Sequence, residues 1–297
     1  RVNIVFRHLI ENNLLDDIDY VHAHTIHSNG WIGYKISKHC SCPLIISIRQ
    51  VDINDAIPIN IHLRSYYKEI INHARLTAPN PTFVKKINKW FPNTNVKVIP
   101  NFIDEKWWKF TQLNNKNHSN NLLKILTITE IAPVKNIEIL LETGVSMKNA
   151  GYNIEIDVVG KSINSKHLNY EKKIKQKYDH DWINFHGEVK NFSTLKKLMH
   201  KNHIFYMNSY KETFGLVYIE ALTQNLPIIY SRDQGISGYF KEGEVGYSVT
   251  SNDIQSSIKS IEKIIKNYKR IRKNIKKNVR QFKKNETLKK WLSIYER

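Results

Sequence analysis

Residues 210–227, YKETFGLVYIEALTQNLP, place Glu212 and Glu220 eight positions apart on either side of one glycine, Gly215. Val217 to Leu222 reads as the start of a helix, Thr213 is a good N-cap, and Gly215 lets the backbone come close to a ligand. A helix head offers unpaired N–H groups and the positive end of a dipole, which together suit a phosphate. With Glu212 just before the helix and Glu220 about two turns into it, the carboxylates can accept hydrogen bonds from hydroxyls at opposite ends of an elongated ligand. A sugar nucleotide has that shape. Glutamates near a helix head are also common as complements of the dipole, so the spacing alone does not decide.

The surroundings add weight. Downstream, an apolar strand at residues 227–230 leads into a glycine-rich turn, GISGYF and EGEVGY, and a second short apolar run. Gly243 and Gly246 supply turn geometry there. Across the second half, LKILTIT, IEIDVVG, INFHGEV and HIFYMN upstream and LPIIYS downstream read as strands separated by helical stretches such as NIEILLETGVSMKNA and FSTLKKLMHK. The first half shows the same alternation. DIDYVHAHT and LIISIR read as strands, LTAPN as a short strand and turn, WIGYKISKHC and IHLRSYYKEIINHA as helices, and VKVIPNFID closes the half. Continuous apolar strands alternating with helices predict two α/β halves with mainly parallel, doubly wound sheets, which take ligands beyond the carboxyl ends of their strands. The loop carrying Glu212 follows the strand HIFYMN at that edge.

Composition sets the outer limits. A chain of 297 residues holds two domains of ordinary size, and the loose stretch NNKNHSNN, residues 114–121, reads as a linker. Cys40 and Cys42 are too close for an ordinary disulfide and lack zinc-site spacing, which fits a reduced, cytoplasmic setting. No apolar run approaches membrane-spanning length, and the first residues lack the order of a signal peptide. The net charge of +19 is concentrated in a basic stretch from Lys263 to Lys284, interleaved with an apolar series at helical spacing from Ile254 to Phe282. A solvated face on a packed helix and a surface for anionic lipid both fit this pattern. Nucleic acid does not, because no recognition motif or aromatic cluster accompanies the charge.

The segment ETFGLVYIEAL followed by LPIIYSRDQGISGYFKEGEVGYSV resembles the donor-binding region of the retaining GT-B glycosyltransferases of family 4. The first half, YVHAHTIHSNGWIGYKISKHCSCPLIISIRQVDIN with VKVIPNFID, is similar to the same family, although the chain opens in what resembles the middle of its N-terminal domain. The resemblance implies two Rossmann-like domains facing across a cleft, an acceptor-side domain at residues 1–104 that is incomplete at its start and a donor domain at 122–252, while composition sets a linker at 105–121 and charge a basic helical segment at 253–297. It implies that Glu212 holds the donor sugar's hydroxyls and Glu220 the ribose, that Thr213 lies in the donor motif, and that Phe214, Gly215 and Leu216 present backbone N–H groups. Lys135 matches the basic residue that neutralises the leaving diphosphate. Glu130 stands where the family commonly carries arginine, and Arg49 or Arg232 is a candidate to compensate. Arg49 also stands where many members have a histidine near the donor sugar, and Asn225 replaces a common glycine.

The implied activity is retaining transfer of a sugar from a nucleotide-sugar donor to a glycan or lipid-linked acceptor, in bacterial surface polysaccharide synthesis at the inner membrane face. No cofactor and no metal are expected. Asp16 with Asp17 and Asp179 with Asp181 only superficially resemble a metal-binding acid pair, and His22 and His24 lack the acidic helper of a zinc motif. Trp90, Trp107 and Trp108 are expected to pack between domains. Two other readings are a non-catalytic sugar-nucleotide or glycan binder and an epimerase of the same fold.

Overall fold

The computed structural model describes residues 2–108 and 122–296, so most of the expected linker, residues 109–121, lies outside the described residues. The chain forms two compact units, one of Arg1–Asn101 with Asn285–Arg297 and one of Phe102–Lys284. They are called unit 1 and unit 2.

In unit 1 the strands β1 (Val21–Ala23), β2 (Leu44–Ser47), β3 (Arg75–Ala78) and β4 (Val96–Val98) form a parallel sheet in the order β1-β2-β3-β4. Every residue of β2 is buried, as its run of Leu44, Ile45 and Ile46 demands of a strand covered on both faces. Helix α1 (Val2–Glu11) precedes β1, and the connections carry α2 (Asn29–Cys40), the one-turn α3 (Ile57–Ile59), α4 (Arg64–His73) and α5 (Pro81–Trp90). A π-helical turn, Asp52–Ala56, precedes α3. Both cysteines are free thiols.

Unit 2 holds β5 (Leu122–Ile128), β6 (Asn153–Val159), β7 (Ile183–Gly187), β8 (Ile204–Met207), β9 (Ile228–Ser231) and β10 (Gly246–Val249). They form one parallel sheet in the order β10-β9-β8-β5-β6-β7. Its helices are α6 (Ile137–Asn149), α7 (Leu168–Lys177), α8 (Phe192–Lys201), α9 (Leu216–Thr223), α10 (Ile254–Lys266) and α11 (Tyr268–Asn278). The run from Ile254 to Phe282 is broken into these last two helices and a 3-10 turn, Val279–Phe282. Its apolar positions Ile261, Ile264, Ile271, Ile275, Val279 and Phe282 all enter the core of unit 2.

The last helix, α12 (Lys284–Tyr295), belongs instead to unit 1, where Ile294 packs with Ile45 and Ile99. The segment 253–297, grouped as one on its charge, is therefore divided between the units. The polar run from Lys283 to Glu286 interrupts its apolar series, and Trp291, Ile294 and Tyr295 start a new one.

The start of the expected linker also differs. Glu105–Trp108 is a 3-10 turn whose Trp107 is 4% exposed in the core of unit 2, with its ring edge-on to Phe192 and its carbonyl oxygen accepting from Gln224 Nε2 at 2.9 Å. Trp107 and Trp108 thus pack on the core of unit 2, and Trp90 packs within unit 1 under the Arg64 guanidinium.

Candidate active site

From β5 the chain of unit 2 builds outward to β6 and β7, then returns through α8 to lay β8 on the other side of β5. Loops leaving the carboxyl ends of β5 and β8 diverge at this switch point, which is where open parallel sheets take ligands. Here the two loops touch. The Tyr210 N–H donates to Val134 O at 2.9 Å, and Lys135 Nζ lies 2.9 Å from Glu212 Oε2. Their side chains are 23% and 13% exposed, so the pair is shielded but reachable.

Local structure explains the placement. Lys135 ends a 3-10 turn, Pro133–Lys135, and Asn136 in the left-handed region (φ 51) starts α6, anchored by its Nδ2 donating to Ser251 O at 2.6 Å. Glu212 Oε1 accepts the Thr213 N–H at 3.1 Å. A third loop, after β9, straps the same residue: the Glu212 N–H donates to Gln234 Oε1 at 3.3 Å, and the Gly235 N–H donates to Glu212 O at 2.9 Å. The sequence does not single out Gln234 and Gly235. Their only signal there is the glycine-rich turn itself, which forces that loop close to its neighbours.

At the head of α9 the structure corrects one expectation. The cap is Gly215, not Thr213, and no side chain caps the helix, which starts at Leu216. Gly215 takes φ 77, and a Cβ there would stand 2.4 Å from the Tyr218 ring, so the position excludes any side chain. In the first turn the Tyr218 N–H already donates to Gly215 O at 3.0 Å, while the Leu216 and Val217 N–H groups have no partner among the described residues and form a cradle for an anion. Phe214 is buried against Tyr239 and Phe282, so it offers the site only its backbone, whereas Leu216 is exposed.

Glu220, within α9, is mostly buried, and its carboxylate accepts no hydrogen bond from the described residues. Burial pushes its carboxyl pKa up to about 7, with the Lys106 ammonium offsetting part of the rise. A shielded carboxylate without a donor is suited to receiving one from a ligand hydroxyl.

Glu130 follows β5 and borders a cleft of about 260 Å³ between the carboxyl ends of β5, β6 and β7. Its Oε1 is 3.3 Å from His167 Nδ1, and Glu188 across the cleft is 2.8 Å from Lys161 Nζ. Ile128, Val159 and Val189 give the cleft an apolar lining, and Ile163 at its edge is 79% exposed. Arg232 is an exposed residue after β9 that meets neither Lys135 nor Glu212 among the described residues. Arg49 belongs to unit 1, beyond the end of β2. Asn225 takes φ 58, the left-handed conformation that makes glycine common at such a position and that asparagine tolerates. Among the described residues no group of three or more His, Cys, Asp or Glu side chains has metal-holding geometry.

Comparison with known proteins places this geometry. The profile of the glycosyl transferases group 1 family matches residues 109–282. The lipopolysaccharide 1,2-N-acetylglucosaminetransferase of Salmonella typhimurium strain LT2 is 23% identical over 248 residues, 76% of this chain and 64% of that protein. The N-acetyl-alpha-D-glucosaminyl L-malate synthase of Bacillus anthracis is 26% identical over 168 residues, 52% of this chain and 40% of its own length. This chain thus spans less than two thirds of either relative. Among solved structures, Anabaena HepE in complex with UDP is similar with a TM-score of 0.75 at 17% identity, covering 99% of this chain and 80% of that one. The sucrose-phosphate synthase of Thermosynechococcus elongatus gives 0.74 at 17%, covering 99% and 77%. These likenesses identify the α/β architecture as that of the GT-B glycosyltransferases. With more than half its length matched by the family profile, the chain belongs to the glycosyl transferases group 1 family.

Proposed function

We propose that this protein is a retaining glycosyltransferase of family 4 that moves a sugar from a nucleotide-sugar donor to a glycan or lipid-linked acceptor in bacterial surface polysaccharide synthesis. The observation that carries this reading is the Lys135–Glu212 pair, 2.9 Å apart at the switch point of the unit 2 sheet, with the α9 head uncapped by any side chain. A lysine and a row of helix N–H groups form a preorganised clamp for a departing diphosphate, worth several kcal/mol in such sites. Lys135 neutralises that diphosphate, Glu212 accepts from hydroxyls of the transferred sugar, and Glu220 accepts from the ribose. The apolar cleft beside Glu130 takes the base. The bond from the anomeric carbon to the diphosphate oxygen breaks, the acceptor oxygen bonds to that carbon on the same face, and its proton leaves with the phosphate. None of these steps calls for a metal.

The relatives support the substrate classes: one is named for transfer onto lipopolysaccharide, and HepE is described with UDP. The charge reversal at Glu130 is compatible with transfer, because His167 partners that carboxylate and Lys135 supplies the positive charge. Cytoplasmic residence at the inner membrane face is part of the same proposal. Since the apolar stripe of α10 and α11 is buried, attachment there is by charge alone.

The test is a thermal-shift screen against UDP-, GDP-, ADP- and CMP-sugars, repeated with Glu220→Ala. One nucleotide class should raise the melting temperature of the wild type and lose most of that effect in the variant. An unmoved melting temperature with all four classes would overturn the reading.

A further inference from the structure

Unit 1 carries its own concentration of ionisable groups at the carboxyl edge of its sheet. His22 lies on β1, His24 directly after it, and Arg49 just past the end of β2. Arg49 Nη2 is 3.4 Å from His24 Nδ1, and the rings of His22 and His24 are 4.7 Å apart. His22 is committed to a fixed network, its Nδ1 2.6 Å from Tyr295 Oη and its Nε2 2.8 Å from Ser47 Oγ, and Trp291 packs against its ring. Burial, together with the charges of His24 and Arg49, lowers its pKa to about 4, which keeps it neutral.

What this cluster lacks is an acid. Among the described residues the Arg49 guanidinium makes no ion pair. The carboxylate closest in sequence, Asp52, is wholly buried and turned to other work. Its Oδ1 accepts the N–H groups of Ile26 at 2.8 Å and His27 at 3.3 Å, and its Oδ2 accepts the Arg49 backbone N–H at 2.9 Å. Asp52 therefore ties the loop after β1 to the loop after β2. It fixes the backbone from which Arg49 projects while leaving the guanidinium without a counterion. A half-buried arginine held beside two imidazoles, with only His24 Nδ1 facing its donors and no carboxylate among the described residues, is an arrangement that an oxyanion completes, because the guanidinium fork accommodates carboxylate or phosphate with two parallel hydrogen bonds. Its position beyond the carboxyl ends of parallel strands is where such sheets take ligands.

We propose that Arg49 and His24 form an oxyanion subsite on unit 1, positioned by Asp52 and His22, that binds a carboxylate or phosphate borne by a sugar substrate. That the anion belongs to a transfer substrate rests on the proposed function; that the subsite binds anionic sugars does not. Two sources share the chemistry, a sugar phosphate and a uronic acid.

Calorimetric titration of the whole chain with glucose, glucose 6-phosphate, glucuronate and inorganic phosphate separates them. The expected result is that glucose 6-phosphate or glucuronate binds at least tenfold tighter than glucose. Whichever anion shows the preference names the source. Arg49→Gln should abolish the preference and Arg49→Lys should keep part of it, with both variants melting within a few degrees of the wild type. Equal binding of the anionic sugars and glucose would overturn the proposal. So would a preference that survives Arg49→Gln, or inorganic phosphate binding as tightly as glucose 6-phosphate, which would mark an adventitious ion only. Parallel titration with UDP-, GDP-, ADP- and CMP-sugars keeps the two readings apart: absence of nucleotide binding with the anion preference intact would remove the proposed function and leave the subsite standing.

Discussion

Lys135 and Glu212 are each other's counterion before any ligand arrives, so removing either strands a shielded charge and also deletes a group that the ligand would meet. Lys135→Ala and Glu212→Ala should each lower sugar transfer by about tenfold or more. The double variant should lose less than the product of the two effects, because the partners act as a unit. Transfer of radiolabel from the donor that shifts the melting temperature reads this directly, and near-normal rates in both single variants would remove the site assignment. Glu220 makes a pH-dependent prediction. Its folded pKa of about 7 lies above its ordinary value of 4.5, so its contribution to stability is complete below pH 4.5 and is lost as pH rises through 7. Glu220→Gln should therefore raise the melting temperature relative to wild type at pH 8.5 and have little effect at pH 5. A difference independent of pH would show that the carboxyl does not titrate there. Binding of ribose hydroxyls favours the ionised form, so donor binding at pH 7 should release protons, visible as a buffer-dependent heat in calorimetry. The residue types at these positions are legible in the sequence, since Glu212, Glu220 and Lys135 lie in patterned segments. The direct 2.9 Å contact between residues 77 apart is not, because it depends on which strands become neighbours.

At the scale of elements, α9 depends on a backbone conformation more than on a side-chain cap. Gly215→Ala would place a methyl group 2.4 Å from the Tyr218 ring at φ 77, and should destabilise unit 2 by about 1–3 kcal/mol while weakening nucleotide binding. Chemical denaturation monitored in parallel with nucleotide titration checks both. A variant of wild-type stability would mean that the loop repacks freely. Thr213 looks like the cap on residue preference alone, but the strap from Gln234 and Gly235 to Glu212 sets the helix start two residues later. Other elements are harder to see in the sequence. Helix α5 carries a sound start signal, Asn80 accepting the Phe83 N–H with Pro81 in the first turn, yet the strand before it reads as running into a turn. Helix α7 is polar along most of its length and buries only Glu171 and Ile174, so it offers almost no apolar periodicity to detect.

At the scale of the whole molecule, the charge of +19 and the burial of the tail must be considered together. Adsorption to anionic liposomes should be abolished by a few hundred millimolar salt, with a Debye length of about 3–8 Å in that range. Neutralising four of the lysines between Lys263 and Lys284 should weaken it at low salt. Salt-resistant sedimentation would instead require an inserted apolar face, which α10 and α11 do not have to spare. The same burial makes α12 structural. Deleting residues 284–297 removes Ile294 from its contact with Ile45 and Ile99 and the Tyr295 hydroxyl from His22. Hydrogen exchange in β2 should accelerate by at least tenfold, and unchanged protection would show that unit 1 stands without its last helix.

The sequence by itself determined the local and the periodic: parallel-sheet strands as unbroken apolar runs, the glycine at the head of α9, the basic face of the tail, and family-level likeness in the segment around Glu212. These follow from propensity and side-chain period, which act over a few residues. Only the tertiary structure decided that β8 lies beside β5 and so brings Lys135 to Glu212, that the apolar stripe of the tail serves a core, that α12 joins unit 1, and that Asp52 turns away from the Arg49 guanidinium. Each of these is a choice among long-range partners, settled by competition for the same buried surface, and no local pattern in the chain records its outcome.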